Sequence, residues 1–198
     1  IEKDQYAKIE VLTKSVSELT GAVSVLNKTN NDLVLATAEG KPFVDFEMPD
    51  PDGNPVKISQ FVAENKYTLV DFWATWCAPC KASMPGGQMA VDRYKDDPNV
   101  EFYFIDTQET KADYKKKVAD FINQKGFTFN VLFDQGEVGK QSKQYDAIAK
   151  PLHNSGIPFK VIIDANGRLR WFMTGYHGSP TGMADEIQYV IDYLKNEK

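Results

Sequence analysis

The chain has 198 residues, of which 42% are hydrophobic and 12% aromatic, so it can bury the core of one ample domain and carry a further segment. Its formal net charge of −5 argues against a nucleic-acid-binding protein, because such proteins usually carry an excess of basic residues. No apolar run is long enough to span a bilayer, and the chain begins without Met or a signal sequence, so we expect a mature or shortened piece.

Residues 1–38 differ in composition from the rest, since they contain no proline and a single glycine. Their apolar residues recur at alternating spacings of three and four. In heptad notation, position a holds Ile9, Val16, Val23 and Asn30, and position d holds Leu12, Leu19, Leu26 and Leu33. β-branched residues at a with Leu at d favour a parallel two-stranded coiled coil, and a single Asn at a fixes its register. The pattern predicts a long N-terminal helix that forms a homodimer through residues 9–33. A helix lying against its own domain is the alternative.

The next stretch, after Gly40-Lys41-Pro42, has short apolar runs separated by turn residues. Two short strands are predicted, at 43–48 and 56–58, on either side of the turn-forming run Asp50-Pro51-Asp52-Gly53-Asn54. Ser59 is suited to cap a single helical turn that ends near Glu64.

A strand followed directly by two cysteines occupies residues 69–80. Residues 69–74 are apolar or aromatic except for Asp71, which predicts a strand buried on both faces. Pro79 fits the first turn of a helix, so we expect Cys77 at a helix N-terminus, where exposed N–H groups and the helix dipole stabilise a thiolate. Because the thiolate is the attacking species in disulfide exchange, Cys77 and Cys80 predict redox chemistry.

Two other interpretations of the cysteine pair stay open at this point. Cys77 and Cys80 could form half of a zinc site, but the remaining ligand candidates, His153, His177 and carboxylates, lack finger-like spacing. A purely structural disulfide would close so small a loop that it would constrain little of the unfolded chain.

The remainder of the chain alternates strands and helices. A helix should run from Cys80 to about Tyr94, with a kink at Pro85. Further strands are predicted at 100–107, 129–133, 158–164 and 168–174, and the last two are joined by the hairpin signal Asn166-Gly167. Further helices are predicted at 111–125, 136–149 and 183–194. This order predicts an α/β fold with a central mixed sheet flanked by helices.

The stretch from Val70 to Cys80, Val-Asp-Phe-Trp-Ala-Thr-Trp-Cys-Ala-Pro-Cys, closely resembles the active site of the thioredoxin superfamily. The wider stretch from Gly40 to Pro85 is similar to the TlpA-like and ResA-like thiol–disulfide oxidoreductases, the membrane-tethered extracytoplasmic branch. The later pair Ile157-Pro158 matches as well. The resemblance implies a thioredoxin fold over residues 39–198, a periplasmic or extracytoplasmic location, and a membrane tether upstream of the chain.

The resemblance also implies roles for the residues around the cysteines. Cys77, first in the motif and nearest solvent, should be the nucleophile, and the more buried Cys80 should resolve the mixed disulfide. Asp71 matches a buried aspartate that exchanges a proton with the second thiol, although it could instead lie on an exposed strand face. Ser83 stands where ResA-like proteins carry a glutamate, so the tuning that depends on that glutamate is in doubt.

Pro158 matches the family's cis-proline, which lies opposite the disulfide; an ordinary trans proline that opens a strand is the alternative. The backbone of Ile157 would then offer strand-like hydrogen bonds to a substrate peptide. Trp76 is expected as a partly exposed wall of the same groove, with Gly175 nearby. His153 and His177 are expected to be solvated.

The leading hypothesis is a thiol–disulfide oxidoreductase without a cofactor or metal, which reduces disulfides of extracytoplasmic client proteins and is recharged by a thiol redox donor. A peroxiredoxin would place a threonine three residues before its reactive cysteine, whereas Thr75 lies two residues before Cys77. A third hypothesis is a non-catalytic interaction module dimerised by the N-terminal coil.

Overall fold

The computed structural model describes residues 41–42, 47–57 and 66–197. The predicted helix and coiled coil over 1–38 lie outside these residues. So do most of the predicted strand at 43–48 and the helical turn from Ser59 to Glu64.

The described residues form eight strands and four α-helices. The strands are β1 (Lys41–Pro42), β2 (Glu47–Pro49), β3 (Pro55–Lys57), β4 (Tyr67–Trp73), β5 (Val100–Asp106), β6 (Asn130–Phe133), β7 (Phe159–Ile163) and β8 (Arg168–Thr174). The helices are α1 (Ala78–Tyr94), α2 (Tyr114–Lys125), α3 (Lys143–Ala149) and α4 (Pro180–Asn196), with a 3-10 turn at Lys150–Leu152 between α3 and β7. None of the helices in the described ranges is long and apolar enough to cross a membrane.

Six strands form one mixed sheet in the order β1-β8-β7-β4-β5-β6. β4, β5 and β6 pair in parallel, whereas β7, β8 and β1 follow as antiparallel neighbours. β2 and β3 form a separate hairpin. The predicted α/β fold with a central mixed sheet is confirmed. Because β4, β5 and β6 are parallel, the loops that follow them leave the same edge of the sheet.

The two faces of the sheet bury different groups. Val70 and Phe72 of β4 lie in an apolar cluster with Tyr145 of α3 and Met48 of β2. Asp71 lies on the opposite face, because side chains alternate along a strand. Helices α1 and α4 cover that face and approach closely: a Cβ added at Gly86 would lie 2.6 Å from the carbonyl oxygen of Pro180.

The predicted helix at 136–149 is wrong in its first half, because only Lys143–Ala149 is helical. Gly136 and Gly139 have φ values of 137° and 87°, which an α-helix does not accept. The N-terminal N–H groups of α3 are instead satisfied from the end of β6, where the Asp134 carboxylate accepts from Gln144 N at 2.8 Å and Tyr145 N at 3.0 Å.

The other helices match the predictions with shifted ends. The last helix begins at Pro180 rather than Met183, because Ser179 Oγ accepts from Gly182 N at 3.1 Å and proline fits the first turn. α2 begins at Tyr114 rather than Lys111, and after Lys125 it is capped by Gly126, whose φ of 68° is left-handed.

Candidate active site

The two cysteines form a disulfide at the start of α1, with Cα atoms 5.3 Å apart. Cys77 is the N-cap residue, and its Sγ accepts a hydrogen bond from Cys80 N at 3.2 Å. Pro79 lies in the first turn, where its missing N–H leaves no helical hydrogen bond unmade. The structure therefore places Cys77 at a helix N-terminus, as the sequence predicts.

Exposure differs sharply between the disulfide and the residue before it. Cys77 is 3% exposed and Cys80 1%, so the first cysteine is only slightly closer to solvent. The Trp76 side chain is 51% exposed, and its indole Nε1 donates to the Gln108 carbonyl oxygen at 2.9 Å. An exposed aromatic ring therefore directly precedes the buried cysteine pair in the chain.

The loop before β7 lies against the first cysteine. The Ile157–Pro158 peptide bond is cis, and the Ile157 carbonyl oxygen lies 3.9 Å from Cys77 Sγ. Gly175, with a φ of 80°, donates from its N–H to the Pro158 carbonyl oxygen at 2.8 Å. Cys77, Ile157, Pro158 and Gly175 thus meet at one place, whereas the ring nitrogen of Trp76 bonds to the loop after β5.

Asp71 is buried and paired with a lysine that the sequence analysis did not single out. Its Oδ2 lies 3.2 Å from Lys160 Nζ, and both side chains are almost fully buried. Burial raises the pKa of Asp71, and the Lys160 ammonium opposes that rise. The alternative of an Asp on an exposed strand face is wrong, because Asp71 is 1% exposed. Lys160 of β7 lies directly opposite it in the sheet.

Lys160 also connects this pair to the helix that carries the cysteines. Its Nζ lies 3.3 Å from Ser83 Oγ, and Ser83 Oγ donates to the Cys80 carbonyl oxygen at 2.8 Å. On α4, burial raises the pKa of Glu186 and Lys160 opposes it. Asp71 Oδ1 has no hydrogen-bond partner in the part of the chain that the structure describes. Ser83 thus serves in a chain of polar contacts between Asp71 and Cys80.

A second residue missed in the sequence, Glu109, holds the backbone just before the cysteines. It is 1% exposed; its Oε1 accepts from Thr75 N at 2.5 Å and its Oε2 from Thr75 Oγ1 at 3.0 Å. Gln108 has a left-handed φ of 56°, unusual for a residue other than glycine. The sequence does carry a signal for Glu109, because it belongs to a polar run directly after the buried strand β5. Such a run falls at the edge of the sheet where parallel strands end.

Two further carboxyl groups lie beneath this loop, at the ends of β5 and β6. Asp106 is fully buried, and neither of its oxygens has a hydrogen-bond partner among the described residues. Burial, with the neighbouring Glu109 and Asp134, raises the pKa of Asp106 to about 9. Asp106 is therefore uncharged at neutral pH. Burial also raises the pKa of Asp134, although four hydrogen-bond donors oppose it.

A cysteine pair at a helix N-terminus, facing a cis-proline loop on this mixed sheet, defines a protein of the thioredoxin fold. Residues 39–172 match the AhpC/TSA family, and the chain belongs to that family.

Its relatives carry a consistent name. The thiol-disulfide oxidoreductase ResA of Bacillus thuringiensis subsp. konkukian is 29% identical over 130 residues, which cover 66% of this chain and 66% of that protein. The chain thus spans slightly less than two thirds of that relative. ResA of Geobacillus kaustophilus is 27% identical over 160 residues, 81% of this chain and 80% of that protein. The thioredoxin-family thiol:disulfide interchange protein of Chlorobium tepidum superposes with a TM-score of 0.62 at 19% identity, covering 78% of this chain and 95% of that one.

The buried Asp71–Lys160 pair predicts strong coupling between two substitutions. Asp71→Asn should cost about 3 kcal/mol of unfolding free energy at pH 7, because it leaves an ammonium buried beside a neutral amide. Lys160→Met should also destabilise the protein. The double variant Asp71→Asn/Lys160→Met should lose clearly less than the sum of the two, which chemical denaturation would measure in a double-mutant cycle.

The control for this cycle is Lys116→Met, which removes an exposed lysine paired with Asp120 and should change the unfolding free energy by less than about 0.5 kcal/mol. Wild-type stability for Asp71→Asn, or additive effects in the double variant, would contradict a strongly coupled pair.

The raised pKa of Asp106 predicts a stability that depends on pH. The unfolded chain ionises Asp106 near 3.8, whereas the folded chain keeps its proton up to about 9. The contribution of Asp106 to the free energy of unfolding is therefore complete below about pH 4. As the pH rises to about 9 this contribution is lost progressively, at no more than about 1.4 kcal/mol per pH unit. Asp106→Asn should flatten the decline of unfolding free energy between pH 5 and 9. The exposed Asp96→Asn should keep the wild-type slope, and equal slopes for all three proteins would refute the assignment.

Proposed function

We propose that this protein is a thiol–disulfide oxidoreductase that reduces disulfides of extracytoplasmic proteins. The observation that carries the proposal is the Cys77–Cys80 disulfide at the N-terminus of α1, with Cys77 Sγ 3.9 Å from the Ile157 carbonyl oxygen. The ResA relatives and the family match support the same chemistry.

The reaction begins with the reduced dithiol. The Cys77 thiolate, stabilised by the N–H groups of the first turn of α1, attacks one sulfur of a client disulfide, and the other client sulfur leaves as a thiolate. Cys80 then loses its proton and attacks the Cys77 sulfur. The second client thiolate leaves, and the Cys77–Cys80 disulfide forms. Two electrons pass from the dithiol to the client, and a thiol redox donor must return them.

Asp71 is the group proposed to take the proton from Cys80. Its burial on the face of the sheet that α1 covers supports this role. The Lys160 ammonium beside it contacts Ser83, whose hydroxyl donates to the backbone carbonyl of Cys80. A pKa raised by burial makes a carboxylate a better proton acceptor near neutral pH.

The client is proposed to bind across the cis-proline loop. Pro158 fixes that loop, the backbone of Ile157 offers strand-like hydrogen bonds, and Gly175 leaves the backbone accessible beside it. Trp76 forms the opposite wall. The contacts between Cys77, Ile157, Pro158 and Gly175 support this groove.

The chain acts outside the cytoplasm, on a tether upstream of Ile1, and residues 9–33 join two copies through a coiled coil. The redox domain is proposed to span residues 39–198; the family match over residues 39–172 supports its start.

Substitution of each cysteine should have a different effect. Cys77→Ser should abolish reduction of insulin, because no thiolate remains to attack. Cys80→Ser should accumulate a mixed disulfide with the client, detectable by mass spectrometry, because nothing resolves it. Preferential alkylation of Cys80 at low pH would reverse the two roles. If the folded wild type reduced neither insulin nor glutathione disulfide, a non-catalytic module would replace the proposal, and rapid peroxide consumption would favour a peroxidase. A measured reduction potential decides the direction of electron flow.

The N-terminal heptads should make assembly depend on residues 9–33. Sedimentation should show a dimer for the whole chain and a monomer for a chain beginning at Glu39, with disulfide reduction retained by both. A monomeric whole chain at high concentration would mean that the helix packs on its own domain. Dimers of both chains would place the interface elsewhere.

A further inference from the structure

A groove of about 430 Å³ opens beside the disulfide, next to Trp76 and away from the cis-proline loop. Its apolar part is formed by the half-exposed Trp76 ring and by Phe121 of α2, which packs against the buried Trp73 at 5.9 Å between ring centroids. Trp76 immediately precedes Cys77, so the groove begins at the residue next to the cysteine pair.

Lysine side chains surround this apolar floor. Lys81, Lys111 and Lys117 all line the groove, and Lys81 Nζ lies 6.0 Å from the centre of the Phe121 ring. Two carboxylates are close by, and both are engaged. Glu109 is buried with its oxygens on Thr75, and Asp113 pairs with Lys117 at 2.9 Å.

The charge of this region opposes that of the whole protein. Residues 110–117 contain four lysines and one aspartate, in a chain whose net charge is −5. A run of lysines on a helix usually faces water, and two members of this run do so: Lys115 lies over the Phe133 ring and Lys116 pairs with Asp120. Lys111 and Lys117 differ because they border an apolar groove at a redox site.

We propose that this groove binds an acidic segment of the client protein, with an apolar side chain on Trp76 and Phe121 and carboxylates at Lys81 and Lys111. The proposal rests on the proposed function, because the segment is brought there by its own cysteine. An extended chain advances about 3.3 Å per residue, so the acidic residues lie within a few positions of the client cysteine. Complementary charge of this kind raises the association rate and selects among clients.

The experiment compares two cyclic disulfide peptides that share a phenylalanine beside one cysteine and differ only in two flanking residues, glutamate or lysine. The wild-type whole chain should reduce the glutamate peptide with a kcat/KM at least about fivefold higher, mainly through KM, and this preference should shrink as salt rises from about 0.05 to about 0.5 M. Lys111→Glu should abolish or reverse the preference.

Lys116→Glu is the matched control, because it makes the same charge change on α2 outside the groove and should leave the preference within about twofold. Equal rates for the two peptides, or an equal effect of Lys111→Glu and Lys116→Glu, would overturn the proposal.

Two further measurements separate failure of the groove from failure of the enzyme. Reduction of the uncharged bis(2-hydroxyethyl) disulfide by the wild type reports thiol–disulfide exchange alone, so its absence would contradict the proposed function and not the groove. A cysteine-free glutamate peptide should change the tryptophan fluorescence of the wild type through Trp76. This change should be weaker with Lys111→Glu, and its absence in the wild type would contradict the groove.

Discussion

The parallel pairing of β4, β5 and β6 is the constraint on which the site depends. It brings the carboxyl ends of three strands to one edge of the sheet, and each strand is followed there by polar groups. Cys77 follows β4, Glu109 follows β5 and Asp134 follows β6. Without this alignment, Glu109 could not hold Thr75, and the backbone N–H and side-chain hydroxyl of Thr75 would lose their hydrogen bonds to it.

Buried ionisable groups lie near the disulfide in two places. Beneath α1, the Asp71–Lys160 pair spans β4 and β7, and beneath the loop after β5, Asp106 lies among carboxylates. Burying such groups costs free energy that an apolar core would not cost. Active sites commonly contain buried groups that lower the stability of the fold. Carboxyl groups with perturbed pKa values are useful there because they can accept or hold protons near neutral pH. The apolar cluster around Phe72 and Tyr145, on the other face of the sheet, contributes the compensating burial.

The exposed Trp76 separates two surfaces with different chemistry. On one side, the cis-proline loop offers backbone groups; where such groups bind an extended peptide, they do so with little regard to its sequence. On the other, the groove toward α2 offers an apolar floor and lysines, which distinguish one side chain from another. General affinity and selectivity can therefore reside in different parts of the surface.

Local patterns were enough to predict much of this molecule. The apolar run of β4, the proline after Cys77, and the Asn166-Gly167 turn each act over a few residues, so their elements could be read from the sequence. The role of Lys160 could not, because it depends on a contact with Ser83, 77 positions away. The same holds for Glu109 and Thr75, which are 34 positions apart. The shortened α3 depends on Asp134, which lies outside the helix. The sequence thus determined the elements and the reactive pair, whereas tertiary contacts decided which polar residues surround that pair, because strand pairing joins segments that no local pattern connects.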